Sequence, residues 1–132
     1  MAQKFTLGKA ERLKSRKAIE QLFNSGKSFV VSPYRVMFVV TKTGSLQFGA
    51  GVSAKNFKRA VDRNRIKRLT REAYRLQKIP LEQHLKKQRR GIHLFVTYTG
   101  MTLPEYAVVY NSMQRILNKL LKIPDENSTP DT

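Results

Sequence analysis

The chain has no cysteine, no tryptophan and only two histidines among its 132 residues. Without thiols it forms neither a disulfide nor a thiolate metal site, so nothing indicates an oxidising compartment. No apolar run approaches the ~20 residues that a transmembrane helix requires, and the first residues lack the apolar core of a signal peptide. These absences predict a cytoplasmic protein.

Acidic residues are also scarce. Nine Asp and Glu stand against 26 Lys and Arg, which gives a formal net charge of +17 and an isoelectric point near 10.6. Such an imbalance attracts polyanions, so RNA, DNA and an anionic membrane surface are the candidate partners. The length fits one domain, and the 40% hydrophobic content suffices for a core without disulfide bridges.

Motifs of catalysis and metal binding are missing. His84 and His93 have neither HExxH spacing nor a nearby acidic partner. No serine lies in a GxSxG context, and the glycines lack the spacing of a phosphate-binding loop. Asp62 and Glu72 are separated along the chain and surrounded by cations. We therefore expect no catalytic residue and no dedicated metal site in the protein itself.

The positive charge is concentrated in residues 58–71. This segment reads KRAVDRNRIKRLTR, and its seven cations and one anion give it +6 of the net charge. At about 100° per residue, its apolar side chains and those just beyond share one quadrant of a helix, with cations opposite. We predict that the helix packs through Ile66, Leu69, Ala73 and Leu76 and presents Lys67, Arg68, Arg71 and Arg75.

A solvated basic helix is the alternative interpretation of this segment. Solvated helices usually interleave Glu with Lys, whereas only Asp62 and Glu72 accompany the cations up to Arg75. Arginine predominates over lysine, and its planar guanidinium suits bidentate phosphate contacts. Asn64 is a poor helix former, but its amide can both donate and accept hydrogen bonds with RNA. The segment is therefore predicted to be a phosphate-binding helix.

Periodicity predicts a single-domain α+β fold with the element order αβββαβα. Gly49 and Gly51 either weaken the third strand or allow another chain to approach it closely. The domain is predicted to span residues 1–122, and the acidic tail 123–132 to be disordered. The predicted elements are a helix over 9–25, two strands between 27 and 40, a strand over 46–53, the basic helix ending before Pro80, a strand over 92–98 and a helix from Pro104 to Lys122; residues 81–91 are assigned only a second basic cluster.

The run from Lys58 to Glu72 closely resembles the RNR signature of the bacterial ribonuclease P protein subunit. The resemblance covers nearly all of residues 10–122. It implies an α/β sandwich of the ribosomal protein S5 domain 2-like type, in which the basic helix lies in a left-handed βαβ crossover. That hand runs against the general right-handed preference. The flanking residues that resemble the family are Arg12, Leu13, Lys14 and Phe23 in its first helix, and Phe48, Gly49, Val52, Ser53 and Lys55 around its third strand.

The resemblance implies the accessory subunit of an RNA-based endonuclease. In that family the RNA subunit, with bound Mg²⁺, cleaves precursor tRNA and releases its 5′ leader. The implied partners are the catalytic RNA and precursor tRNA, without a membrane or a further protein. The basic helix and its preceding loop face the catalytic RNA in the family, which implies RNA contacts by Lys58, Arg59, Arg63, Asn64, Arg65, Lys67, Arg68 and Arg71.

A second site implied by the resemblance is a cleft between the first helix and the sheet, which holds the single-stranded leader. Basic grooves with aromatic platforms are typical of single-strand binding, although burial statistics favour core positions for the aromatic residues. This chain departs from the family's frequent residues at Ile19, Gly51 and Ala54. The implied cleft residues are Arg12, Lys14, Phe23, Tyr34, Phe38, Ser53, Lys55 and Asn56.

Three other functions compete with this interpretation. A structural RNA-binding protein of the ribosomal type shares the size and charge, and only the ordered Arg63-Asn64-Arg65 run separates it from the ribonuclease P subunit. A DNA-binding helix-turn-helix module is disfavoured because the predicted strands leave too few helices. A membrane-surface helix needs a broader apolar face than one containing Ala73 provides.

Overall fold

The structure, a computed structural model, describes residues 12–13, 16–42 and 46–123. Within these residues the chain forms helices on both sides of a four-stranded sheet. No helix of this part is long and apolar enough to cross a membrane. The elements are α1 (Arg16–Ser25), β1 (Lys27–Val31), β2 (Tyr34–Thr41), β3 (Leu46–Val52), α2 (Ala60–Gln77), α3 (Ile79–Gln88), β4 (Gly91–Tyr98) and α4 (Tyr106–Leu121).

The sheet has the strand order β1-β2-β4-β3 and is mixed. β1 pairs with β2 and β2 with β4 in antiparallel register, whereas β3 runs parallel to β4. Parallel neighbours require a crossover connection, and α2 with α3 supplies it here. The α+β class and the helical crossover between parallel strands are thereby confirmed, and the left hand of that crossover stays a prediction.

Alternation along the strands gives the sheet one core face, which α2 and α4 cover. Tyr34 and Thr70 join β2 to α2 through a hydrogen bond of 2.7 Å between their hydroxyl oxygens. Phe48 of β3 stacks on Tyr74 of α2, with ring centroids 3.9 Å apart and an interplanar angle of 5°. The aromatic contacts therefore fix which side of α2 is buried.

That buried side agrees with the predicted one at Ile66, Leu69 and Ala73 and departs from it at Leu76. Leu76 was predicted to pack, but it is 40% exposed, whereas Thr70 and Tyr74 are buried. The Thr70 hydroxyl donates to the Ile66 carbonyl at 2.8 Å, so its burial leaves no unsatisfied donor. Burying Tyr74 against Phe48 turns the packed stripe away from Leu76. Ile66 and Ala73 are buried as predicted.

A helix that the predicted element order lacks, α3, follows α2 almost directly. The basic helix ends before Pro80, as predicted, because α2 stops at Gln77. Pro80 itself lies in the first turn of α3, where its missing N–H costs nothing. Leu81 and Leu85, one turn apart, are buried. Arg89 ends the helix in the left-handed conformation, at a φ of 57°. The observed order is therefore αβββααβα.

The beginning of the first predicted helix also differs. Arg12 forms an isolated parallel β-bridge with Phe48, and the Leu13 N–H donates to the Phe48 carbonyl at 2.9 Å. Residues 12–13 thus lie along the outer edge of β3 and are not helical. Three predicted segments lie partly or wholly outside the described residues: residues 9–11 and 14–15 of the first helix, including Lys14, residues 43–45 of the turn, and residues 124–132 of the tail.

Candidate nucleic-acid interface

The side of α2 that faces away from the core carries the signature residues. Asn64, Arg65, Arg68 and Arg71 are all exposed, and Lys67 is half-buried. We call the four exposed residues the basic face of α2. Because the opposite side of the helix is packed against β2 and β3, a polyanion reaches the basic face without displacing a core side chain.

The basic face is bounded at one end by an ion pair. The Arg75 guanidinium donates to both carboxylate oxygens of Glu72, with Nη2–Oε2 at 2.6 Å and Nε–Oε1 at 3.2 Å. This hydrogen-bonded carboxylate raises the pKa of Arg75 above its ordinary value. Arg75 was predicted to join the presented cations, but its charge is offset by Glu72 and the uncompensated stretch ends at Arg71.

Arg63, the first arginine of the signature, has a structural partner. Its Nη1 donates to the carbonyl oxygens of Phe57 at 2.7 Å and Lys58 at 2.8 Å. A charged donor to two backbone carbonyls is a strong constraint on the loop. Arg63 therefore holds the loop that carries Lys58 and Arg59 against the first turn of α2.

Asn56 is held in a similar way at the other end of this loop. Its Nδ2 donates to the carbonyl oxygens of Thr99 and Gly100, each at 3.2 Å. The Ser53 N–H donates to the Tyr98 carbonyl at 3.1 Å, which continues the pairing of β3 with β4. Asn56 thus connects the loop to the end of β4, while Lys55 beside it is exposed.

Two of the predicted cleft aromatics belong to the core. Tyr34 is 0% exposed and Phe38 is 5% exposed, so neither presents a ring to a base. Both lie on the side of β2 that α2 and α4 cover, and burial raises the pKa of Tyr34 to about 12. The predicted cleft role of Tyr34 and Phe38 is wrong because the wrong side of β2 was assigned to the cleft.

The opposite side of the sheet has the exposed aromatic residue. Phe23 of α1 is 52% exposed and contacts Phe95 of β4 edge-to-face, with ring centroids 5.8 Å apart and an interplanar angle of 67°. Strand pairing sets Phe95 opposite Met37. The same pairing sets Thr97 opposite Arg35, which is exposed. We call the side of the sheet that carries Arg35, Met37, Phe95 and Thr97 the open face.

Sequence reasoning missed Arg35, Phe95 and Thr97. Their signal was the alternation within β2 and β4, which places them on the side of the sheet away from the buried Tyr34, Leu94 and Val96.

Of the other predicted cleft residues, Arg12 is exposed at the edge of β3, and Ser53 and Lys55 follow the end of that strand. Their part in a leader cleft stays a prediction.

Groups for acid–base or metal chemistry are sparse in this part of the chain. Within residues 12–13, 16–42 and 46–123, no three His, Asp or Glu side chains are grouped to hold a metal ion. Burial lowers the pKa of His93, which favours its neutral form near pH 7. What the described surface offers chemically is recognition of anions and of aromatic rings.

Comparison with known proteins identifies the family. The profile of the family described as Ribonuclease P matches residues 7–121. The chain belongs to the ribonuclease P protein family. The ribonuclease P protein component of Porphyromonas gingivalis strain W83 is 39% identical over 121 residues, covering 88% of this chain and 87% of that protein. The component of Chlorobium phaeobacteroides is 32% identical over 128 residues, covering 87% and 88%.

Solved structures agree on the fold. The Staphylococcus aureus RNase P protein superposes with a TM-score of 0.67 at 23% identity, covering 85% of this chain and 96% of that one. The Thermotoga maritima RNase P protein gives a TM-score of 0.63 at 25% identity, covering 87% and 99%. These structures confirm the α+β fold, and the profile and the relatives confirm the family assignment made from the RNR segment.

Proposed function

We propose that this chain is the protein subunit of a ribonuclease P ribonucleoprotein and assists removal of the 5′ leader from precursor tRNA. The basic face of α2 and the loop before it bind the enzyme's RNA subunit, and the open face beside α1 binds the leader. The observation that carries the proposal is the exposed Asn64, Arg65, Arg68 and Arg71 in a chain that matches the family over residues 7–121.

Binding of the RNA subunit is mainly electrostatic. Arg65, Arg68 and Arg71 reach phosphates with guanidinium groups that suit bidentate contacts, and Asn64 adds an amide that can donate and accept. Counterion release from the RNA supplies much of the free energy of such binding. Arg63 contributes indirectly, because it fixes the backbone at Phe57 and Lys58. Lys58, Arg59 and Lys67 complete the RNA-binding set.

Leader binding uses a different part of the surface. Phe23 offers a half-exposed ring for stacking, and Arg12 and Lys55 are exposed cations near β3. Ser53 lies between the end of β3 and the loop, and Asn56 positions that loop through the Thr99 and Gly100 carbonyls. The leader therefore binds as a single strand along the side of the sheet opposite the α2 helix.

Cleavage of the phosphodiester bond is assigned to the RNA subunit. The Mg²⁺ that the family's reaction needs is assigned to the RNA subunit with it, where phosphate and water oxygens suit this ion. The protein's side chains bind and orient the two RNAs. In a bacterium this activity takes place in the cytoplasm, where precursor tRNA is made.

Native purification of the full chain, followed by sequencing of the bound RNA, tests the assignment. We expect enrichment of ribonuclease P RNA, whereas predominantly ribosomal RNA would favour a structural RNA-binding protein. Reconstitution supplies the second arm. The protein freed of RNA leaves precursor tRNA intact, and addition of the RNA subunit restores cleavage at the leader junction; leader removal by the protein alone would contradict the proposal.

A further inference from the structure

Phe95 occupies a place on the open face that two glycines make available. In the β3–β4 register, Gly49 pairs with Phe95 and Gly51 pairs with Thr97. A Cβ atom on Gly49 would lie 2.7 Å from Cδ1 of Phe95, and one on Gly51 would lie 3.0 Å from Cε2 and Cζ. Side chains at these positions would collide with the ring. The Phe95 ring therefore lies across β3, in the space that two side chains would otherwise fill.

The second ring comes from α1. Phe23 meets Phe95 edge-to-face at a centroid distance of 5.8 Å, an arrangement that aromatic rings favour. The contact could serve only to pack α1 on the sheet. However, Leu22 already anchors α1, since it is 1% exposed, whereas Phe23 leaves 52% of its surface in solvent. A packing role explains the contact between the rings but not the exposure of Phe23.

The charge next to the two rings matches a nucleic-acid strand. Arg35 is exposed and pairs with Thr97 across the β2–β4 pair. Thr97 lies two residues after Phe95 in β4, so Arg35 is close to the Phe95 ring on the same face. Aromatic rings beside a cation are the combination with which proteins hold single-stranded nucleic acid, because the rings stack on bases and the cation follows the backbone. A peptide partner would gain less from this surface, given the net charge of +17.

We infer that Phe23 and Phe95 together form a base-stacking platform, in which Phe95 is the second stacking ring and Arg35 holds the adjacent phosphate. The inference rests on the proposed function, because it assigns the platform to unpaired bases of the precursor tRNA leader. Gly49 and Gly51 are positioning residues for the platform, since they leave room for the Phe95 ring.

The test measures the affinity of the reconstituted holoenzyme for precursor tRNA and for mature tRNA. Phe95→Leu keeps an apolar side chain but removes the ring, and we expect it to weaken precursor binding by about 5- to 100-fold with little change for mature tRNA. Phe95→Tyr keeps a ring and is expected to retain discrimination between the two tRNAs. Val108→Ala is the control, because Val108 is an exposed apolar side chain of α4 that lies outside both proposed binding surfaces.

Gly51→Ala moves the ring without removing it. The added methyl group lies 3.0 Å from two ring carbons, so Phe95 has to give way by a few tenths of an ångström, and precursor binding is expected to weaken. In the Phe95→Leu background the same change is expected to add little, since the displaced ring is gone. If Phe95→Leu prevents assembly through loss of stability, Gly51→Ala decides: unchanged discrimination would overturn the platform.

The outcomes separate this inference from the proposed function. Selective loss of precursor binding by both Phe23→Leu and Phe95→Leu supports the platform. Loss by Phe23→Leu alone overturns the role of Phe95 and leaves the proposed function intact. Normal assembly with unchanged discrimination in both variants removes the leader from these rings. Failure of the unaltered protein to bind ribonuclease P RNA would overturn the proposed function, and the platform with it.

Discussion

The basic face of α2 and the open face of the sheet are built in opposite ways. The basic face comes from one continuous segment, whose exposed arginines are neighbours in sequence. The open face consists of residues of β2 and β4 that lie far apart along the chain, and Phe23 of α1 contacts it through Phe95. A charged surface can therefore be recognised in a short stretch of sequence, whereas a stacking surface exists only once the sheet and α1 are in place.

Under the proposed function, the two surfaces also differ in the physics of binding. Phosphate contacts on α2 depend on counterion release and weaken steeply with salt. Stacking on Phe23 depends on ring contact and on removal of apolar surface from water, both of which salt affects little. This difference can be tested by changing one surface at a time.

The largest expected effect is that of salt on assembly with the RNA subunit. If six or more cations contact phosphates, affinity should fall by about 10³-fold or more between roughly 50 and 200 mM salt. The ratio of precursor to mature tRNA affinity should change far less. Filter-binding titrations across salt concentrations measure both. Equal salt dependence of the two quantities would mean that the surfaces do not differ in kind.

Replacement of aromatic residues on the two sides of the sheet should give the next largest contrast. Phe38→Ala removes a core ring and should cost about 3–5 kcal/mol of unfolding free energy, because a cavity remains. Phe23→Ala, at a half-exposed ring, should cost clearly less and should mainly weaken precursor tRNA binding. Denaturant titrations measure the stabilities. A stability loss for Phe23→Ala as large as that for Phe38→Ala would place Phe23 in the core.

Single cations on α2 should show a smaller effect. Arg68→Ala should weaken assembly by about 1–3 kcal/mol while leaving circular dichroism unchanged, because the side chain points away from the core. Arg65→Ala should behave alike. Arg75→Ala is the matched control on the same helix, since its guanidinium is paired with Glu72. Equal assembly defects for Arg68→Ala and Arg75→Ala would contradict the assigned boundary of the basic face.

The smallest effect concerns the buried hydroxyl of Tyr34. Burial raises its pKa from 10.0 to about 12, so the folded protein holds the phenol proton more tightly than the unfolded chain. The resulting stability is fully present below pH 10 and is lost as the pH rises from 10 to 12. Tyr34→Phe should cost about 0.5–1.5 kcal/mol at neutral pH through the lost bond to Thr70.

Tyr34→Phe should also reduce the alkaline sensitivity of the protein. It should not abolish it, because burial raises the pKa of Tyr98 and Tyr106 as well. Denaturant titrations at neutral and alkaline pH compare the variant with the unaltered protein. An unchanged alkaline loss in the variant would show that the Tyr34 hydroxyl does not contribute to it.

The basic helix could be predicted because its signal is local. The charge, the RNR run and the burial of Ile66 and Ala73 all follow from one segment of sequence. Thr70 and Tyr74 escaped prediction, since their burial depends on Tyr34 and Phe48 of other elements. α3 escaped as well, because Pro80 suggests an end and the helix buries only a short apolar stripe.

The cleft side of β2 could not be assigned from sequence. Tyr34, Val36 and Phe38 alternate with Arg35, Met37 and Val39, so both sides of the strand carry apolar residues. Which side forms the core is decided by the helices that cover it, and α2 and α4 cover the side of Tyr34. Gly49 and Gly51 indicated a close approach, and the group that approaches them is the Phe95 ring.

The central claim is that α2 binds the RNA subunit and the open face selects the leader. The most direct measurement compares Arg68→Ala and Phe23→Leu for affinity toward the RNA subunit and for the ratio of precursor to mature tRNA affinity. The predicted result is that each variant affects one quantity only: Arg68→Ala weakens assembly and leaves the affinity ratio unchanged, while Phe23→Leu leaves assembly unchanged and lowers the ratio. Equal effects of both variants on both quantities would contradict the claim.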